Sequence, residues 1–321
     1  MRPFAIKKLL DSVQLQTKIP NQIIVVDGST NNDTKFMLVA SSPAIDYFLV
    51  DKEHRGLTRQ RNFGVQQLNS SIDIVYFLDD DLILEADYFE QLENTYKQHP
   101  DAIGAGGIDL KENRYFLKKA DVLYNKFGYY QLDGWVIKES LRSKARKLVG
   151  LMTDLPPDII PAYSHGRTGF PPNGKIYRVE HFMGAMGSFK KSLFKDIGFS
   201  KYFEGYGLYE DLDFCVRALE FGKLYVNTNA RVWHYHDPGG RPHLYKYGKM
   251  VVRNGWYVWR VRYPNPALKA RFQWNATVLL LAFIRLVNVA MGPDRKGAFA
   301  EFFGRLAAWT GLIVTQPAIE K

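Results

Sequence analysis

Two apolar runs that stop at carboxylates constrain this chain more than any other feature. Ile23-Ile24-Val25-Val26 ends at Asp27-Gly28-Ser29, and residues 74–78 end at Asp79-Asp80-Asp81. Apolar runs of this length bounded by turn residues read as buried strands. Around them the spacing becomes helical. Ile6, Leu9, Leu10 and Val13 share one helical face, 58–68 follows the strand-like 47–50, and 87–98 precedes the Gly-rich run 102–108. Such alternation predicts an α/β sheet with at least some parallel strands. In open α/β sheets ligands collect beyond the carboxyl ends of the strands, so Asp27 and the triple aspartate mark one site.

Residues 110–175 carry no strong period and contain Pro156-Pro157, Pro161, Pro171-Pro172 and several glycines. An irregular stretch of that length in a compact domain reads as a lid or acceptor loop. Beyond it the pattern predicts a helix over 209–221 and short strands at 224–226 and 231–233.

The last quarter of the chain differs in charge. Residues 241–321 hold 13 Lys/Arg against Asp294, Glu301 and Glu320, which accounts for the whole net charge of +10, while residues 1–240 are balanced. A balanced body with a basic end points to a surface-docking appendage. Nucleic acid is excluded as a partner because the basic segment is strongly apolar between its charges, unlike a DNA-reading face. Trp256, Tyr257, Trp259, Tyr263 and Trp274 interleave with Arg253, Arg260, Arg262, Lys269 and Arg271. The 16 apolar-rich residues 276–291 follow, broken by Arg285. Spanning a bilayer takes ~20 apolar residues. The run is therefore expected to lie in the membrane interface, where aromatic rings and long basic side chains anchor. The competing reading is a helical hairpin packed on the body. The expected division is a catalytic domain, 1–240, with 110–175 as its acceptor loop, and a helical extension, 241–321. The single cysteine, Cys215, excludes an internal disulfide and a thiolate metal cluster. The N-terminal segment lacks the uninterrupted apolar core of a secretory signal.

Three clusters carry chemistry. Adjacent carboxylates at Asp79-Asp80-Asp81 repel one another and are best neutralised by a cation; hard oxygen ligands suit Mg2+ or Mn2+. A solvated acidic turn is the competing reading. Glu210-Asp211-Leu212-Asp213 opens a helix beside the Gly- and Tyr-rich run 204–207. Capping accounts for one or two of these acids, and a carboxylate at such an opening could act as general base for an acceptor hydroxyl. In Trp233-His234-Tyr235-His236, two histidines at i and i+2 of an extended segment face the same side. One as a metal ligand with the other structural is the economical assignment, against both in ordinary hydrogen bonds.

Together these motifs resemble the inverting family 2 glycosyltransferases of the GT-A fold, over residues 1–255. The segment 23–33 is similar to the family's nucleoside-binding strand, which implies donor binding by Asp27. Residues 54–64 resemble the segment beside the donor, implying Arg61 and Asn62 in the nucleotide site. The run 76–92 is similar to the metal motif, with Asp79 and Asp81 as outer carboxylates and Asp80 beside the donor. Residues 182–199 resemble the stretch before the acceptor site, which starts at Gly184. The run 204–222 is similar to the acidic motif that implies Asp211 as base and Glu210 as its acceptor-binding neighbour; Tyr206 and Trp233 join the acceptor side. Residues 230–236 resemble the strand ending in a metal- or phosphate-proximal histidine, and His234 fits that register slightly better than His236.

The resemblance implies a UDP- or dTDP-linked sugar donor, inversion at the anomeric carbon and a glycan or lipid-linked acceptor in surface polysaccharide synthesis, as in rhamnosyl-transferring relatives. It also implies a peripheral position on the cytoplasmic face of the cell membrane. The family's first strand is expected to be missing, since Met1-Arg2-Pro3 stands where the following helix begins. That leaves, as an alternative, a truncated and inactive sugar-nucleotide-binding or scaffold protein. A sugar-phosphate nucleotidyltransferase would open with a Gly-rich phosphate loop, which this chain lacks.

Overall fold

Pro3 at the first helical position opens α1 (Pro3–Gln14), whose Ile6, Leu9, Leu10 and Val13 are buried as their spacing predicts. A computed structural model describes residues 2–39, 45–163, 166–236 and 242–319. The chain divides into two units, Met1–Asn113 with Pro172–Gly239, and Arg114–Pro171 with Gly240–Lys321.

In the first unit α1 is followed by β1 (Ile23–Asp27), α2 (Asp33–Val39), β2 (Ile45–Leu49), α3 (Leu57–Gln66), β3 (Ile74–Leu78), β4 (Leu82–Leu84), α4 (Tyr88–Gln98) and β5 (Ala102–Asp109). The second unit contributes β6 (Phe116–Leu117), β7 (Tyr129–Leu132), β8 (Trp135–Lys138) and α5 (Leu141–Leu148). The chain then returns to the first unit with β9 (Ile176–Val179), β10 (Met186–Lys190), α6 (Glu210–Ala218) and β11 (Lys223–His234). It ends in the second with α7 (Leu244–Arg262), α8 (Leu268–Met291) and α9 (Arg295–Val314).

A mixed sheet runs β3-β10-β5-β11-β4, with β9 also on β11; only β5 and β11 are parallel. β1 and β2 form a separate parallel pair, in register from Ile23 opposite Ile45 to Asp27 opposite Leu49. Among the described residues β1 pairs only with β2 and β3 only with β10. Gln60 of α3 donates to the Val26 carbonyl at 2.8 Å. The glycines of β5 provide space: a Cβ at Gly104 would meet Phe189 at 2.6 Å, and one at Gly106 would meet Phe182 at 2.7 Å. Strands expected separately at 224–226 and 231–233 are one strand, β11, whose register against β5 shifts between Val226 and Arg231. There Asn227 turns its amide onto Gln91 and Thr95 of α4.

The second unit departs further from expectation. The stretch read as irregular contains a three-stranded antiparallel sheet, β6-β8-β7, and the helix α5. Short strands with few buried positions leave little period to detect. Its loop also belongs with the helices: Trp259 Nε1 donates to Ala162 O at 2.8 Å and Tyr263 Oη to Ile160 O at 2.7 Å. Val252, Trp256, Trp259, Trp274, Ala308 and Leu312 make the core. Gly248 and Gly304 let α7 and α9 touch through their backbones. The apolar run read as 16 residues belongs to the 24-residue helix α8, long and apolar enough by length and composition to cross a membrane.

Candidate active site

The site lies at the carboxyl ends of the strands in the first unit, and Arg61 is its hub. Helix α3 presents the Arg61 guanidinium to three neighbours. Nη1 donates to Glu210 Oε1 at 2.5 Å, while Nη2 donates to Asp79 Oδ1 at 3.3 Å and to the Gly184 carbonyl at 3.2 Å. Phe77 and Phe199 lie 5.6 and 5.3 Å from its carbon, so the cation also meets aromatic faces. Burial disfavours this charge, yet Glu210, Asp79 and Asp211 outweigh that and raise its pKa.

The triple aspartate leaves β3 and divides its partners. Asp80 is gripped by Arg2, whose Nε donates to Oδ2 at 3.2 Å. Asp81 is nearly buried, with Arg2 Nη1 at 3.3 Å from Oδ2 and His234 Nε2 at 3.1 Å from Oδ1. The chain's own cations therefore relieve much of the repulsion that the sequence reading assigns to a metal. Desolvation pushes the Asp79 pKa up against the pull of Arg61, with Asp81 adding to the rise. Burial lowers the pKa of His234, but the Asp81 carboxylate more than reverses this.

Asp79, Asp81 and His234 each offer one ligand atom within 4.8 Å of the others. Two carboxylates and an imidazole suit Mn2+ or Mg2+, so the expected divalent ion fits these residues. His234, rather than His236, is the histidine that joins this set.

At the start of α6, Tyr209 holds φ 71°, and glycines at 205 and 207 adopt φ 84° and 74°. This tight entry sets Glu210 and Asp211 side by side. Asp211 Oδ2 accepts from Gly184 N at 2.9 Å. Gly184 has no room for a side chain, since a Cβ would lie 2.6 Å from Asp211 Cβ and 3.0 Å from Arg61 Nη1. Glu210 is almost fully buried. Burial pushes its pKa to about 8, with Arg61 opposing and Asp211 and Asp79 adding to the rise. One guanidinium faces three carboxyls, and the most enclosed of them keeps a proton. Asp213, the last acid of the motif, is structural and pairs with Arg217 at 2.6 Å.

Three expected residues stand apart from this arrangement. Asn62 spends its amide on Phe199, donating to O and accepting from N, both at 2.8 Å. Successive helical residues point about 100° apart, so Arg61 and Asn62 cannot both face the strand ends. Trp233 donates to Glu85 at 2.6 Å and, one residue from His234 along β11, lies on the opposite face of the sheet. Asp27 sits at the end of β1 but is fully enclosed. Ser29 N donates to its Oδ1 at 2.8 Å and Tyr47 Oη to its Oδ2 at 2.7 Å. Burial raises its pKa, and these hydrogen bonds more than offset that, leaving it lowered. Tyr206 is partly exposed on the loop before α6.

Sequence reasoning passed over Arg2, which no local pattern links to an aspartate 78 positions away. It also passed over Asp109, although that residue ends β5 as Asp79 follows β3. Asp109 Oδ1 accepts from the backbone N of His234 at 3.1 Å.

Comparison with known proteins supplies a family. The model described as glycosyl transferase family 2 matches residues 3–160, about half of the chain. A glucosyl-dolichyl phosphate glucuronosyltransferase of Haloferax volcanii is 35% identical over 102 residues, 30% of this chain and 31% of that protein. The match thus spans less than a third of the relative's length. Similar solved structures include GalNAc-T7 with UDP, GalNAc and Mn2+, at 15% identity over 76% of this chain and 45% of that one, with a TM-score of 0.45. Another is the mannosyltransferase PcManGT from Pyrobaculum calidifontis with GDP-Man and Mn2+, at 16% identity over 98% and 78%, with a TM-score of 0.48.

Proposed function

The chain belongs to glycosyl transferase family 2, and we propose that it moves a sugar from a nucleoside-diphosphate donor to a hydroxyl of a lipid-linked acceptor at a membrane surface. The observation that carries this reading is the meeting at Arg61 of Asp79, Gly184 and Glu210, drawn from separate parts of the chain. Asp79, Asp81 and His234 would hold a divalent ion, which would supply positive charge to offset that of a departing diphosphate. Of the two adjacent acids at α6, Glu210 keeps its proton at neutral pH. That leaves Asp211, oriented by the Gly184 N–H, as the base that takes the acceptor's hydroxyl proton. One base and no separate nucleophile suit a single displacement with inversion.

Two observations support this acceptor class. The Haloferax relative is named for a dolichyl phosphate substrate. In the second unit, Leu268, Phe272, Leu279, Phe283, Leu286 and Val287 of α8 are exposed, and only 22% of the helix's apolar window is buried. A soluble core helix would be mostly covered. The basic excess of residues 241–321 suits an anionic leaflet such as the cytoplasmic one, with α8 lying in the interface.

Calorimetric titration of UDP, dTDP and GDP, with and without Mn2+, tests the donor reading. One nucleotide should bind in a metal-dependent way, and Asp81→Asn should abolish that binding. No binding of any of the three would overturn the proposal. Asp211→Asn should keep donor binding and lose turnover about 100-fold or more.

A further inference from the structure

The site described above leaves one part of its own border unexplained. Where β5 and β11 end together, Asp109, His234 and His236 each offer a ligand atom within 4.8 Å of the others. His234 Nε2 is taken by Asp81 Oδ1 at 3.1 Å and His236 Nε2 by Glu112 Oε1 at 3.3 Å. Each imidazole thus has one nitrogen held by a carboxylate, which leaves Nδ1 as the nitrogen able to present a lone pair. His234 Nδ1 is buried with no hydrogen-bond partner, and so is Asp109 Oδ2. With the His234 proton on Nε2, facing Asp81, both atoms are acceptors, and burying either without a donor or a cation is unfavourable. Among the described residues no donor meets either atom.

A cation resolves this arrangement where a further side chain would not. Histidines that ligate metals characteristically pass their second nitrogen to a carboxylate, which fixes the ring and strengthens the ligand. That pattern occurs here twice, with Asp81 behind His234 and Glu112 behind His236. We propose that Asp109, His234 and His236 form a second cation site on the Nδ1 side of His234, whose Nε2 faces the Asp79 and Asp81 set; with both ions bound, the imidazole would give up its proton and bridge them. Two imidazoles and one carboxylate select a borderline ion of the Zn2+ type over Mg2+. His236 has φ 48°, an uncommon conformation for a non-glycine residue, and coordination would hold it there. The cation would tie the ends of β5 and β11 together and, through His234, hold Asp81 in place. Its role is positioning and needs no part in the reaction.

The two sites are separable by spectroscopy on the full chain, freed of metal by a chelator and titrated with Co2+. A low-symmetry, histidine-ligated Co2+ gives visible absorption much stronger than an octahedral oxygen-ligated ion does. Wild type should show this band. Asp79→Asn should keep the band, whereas His236→Ala and, independently, Asp109→Asn should lose it. Far-ultraviolet circular dichroism confirms that each variant is folded. Zn2+ should raise the melting temperature of wild type and of Asp79→Asn but not of His236→Ala. Absence of this band from wild type, a band lost in Asp79→Asn, or a band unchanged in His236→Ala would each overturn the proposal. None of these outcomes depends on nucleotide binding, so the second site and the transferase reading can fail separately.

Discussion

Arg61 and Glu210 meet at 2.5 Å across 149 positions of chain, almost fully enclosed, with Asp79 and Asp211 close by. This pair joins α3 to α6 and brings Asp79 close to Glu210 and Asp211. A buried pair of this kind is weak evidence of stability in itself, but removing one partner strands the other.

Arg61→Ala would leave three carboxyls without their common cation. The expected loss is about 3–5 kcal/mol in chemical denaturation. Above pH 8, where Glu210 is ionised, adding Glu210→Gln to Arg61→Ala should recover part of it, because a neutral amide needs no counter-charge. Strict additivity of the two substitutions would argue against their being coupled.

The raised pKa of Glu210 gives stability a defined dependence on pH. Its ordinary value is 4.5 and its folded value about 8. Between these values the unfolded chain has lost a proton that the folded chain keeps. The contribution is therefore fully present below 4.5 and is lost as pH rises through 8. Glu210→Gln, which mimics the protonated acid, should gain stability relative to wild type as pH rises through that window. Parallel stability profiles for the two proteins would show that Glu210 titrates normally.

Gly184→Ala should damage the site with little damage to the fold. The new methyl would lie 2.6 Å from Asp211 Cβ, so the carboxylate or the loop must move. Misplacement of a reacting group by about 1 Å can cost roughly 100-fold in rate. Steady-state kinetics should show that loss in turnover, while thermal melting shows a modest decrease. Unchanged turnover would mean that the position of Asp211 is not critical.

Phe272 and Phe283 project from α8 at 74% and 58% exposure. Changing both to Asp should leave the melting temperature nearly unchanged and weaken binding to anionic vesicles by roughly tenfold or more, since each buried phenyl is worth about 1.5–3 kcal/mol. Flotation with vesicles measures this. Alkaline carbonate extraction of native membranes should release a peripheral protein, and retention would instead indicate that α8 spans the bilayer.

The sequence by itself determined the alternating elements and the carboxylates at their ends. A change of period from 2 to 3.6 is a local property, written in consecutive residues, and so is an acidic motif at a helix start. The strand ending at Asp79-Asp80-Asp81 and the helix opening at Glu210 were legible for that reason. The tertiary structure decided which side chains meet. Asn62 turns from the site because it lies one helical step from Arg61, and Trp233 turns away because it lies one strand step from His234. Arg2 reaches Asp80, and Asp109 reaches the end of β11, through contacts that no short window of sequence contains. The sheet within 114–171 and its grouping with the C-terminal helices were hidden for the same reason. Pairing between distant segments depends on which surfaces the whole chain can bury together, and that is settled only when the chain folds.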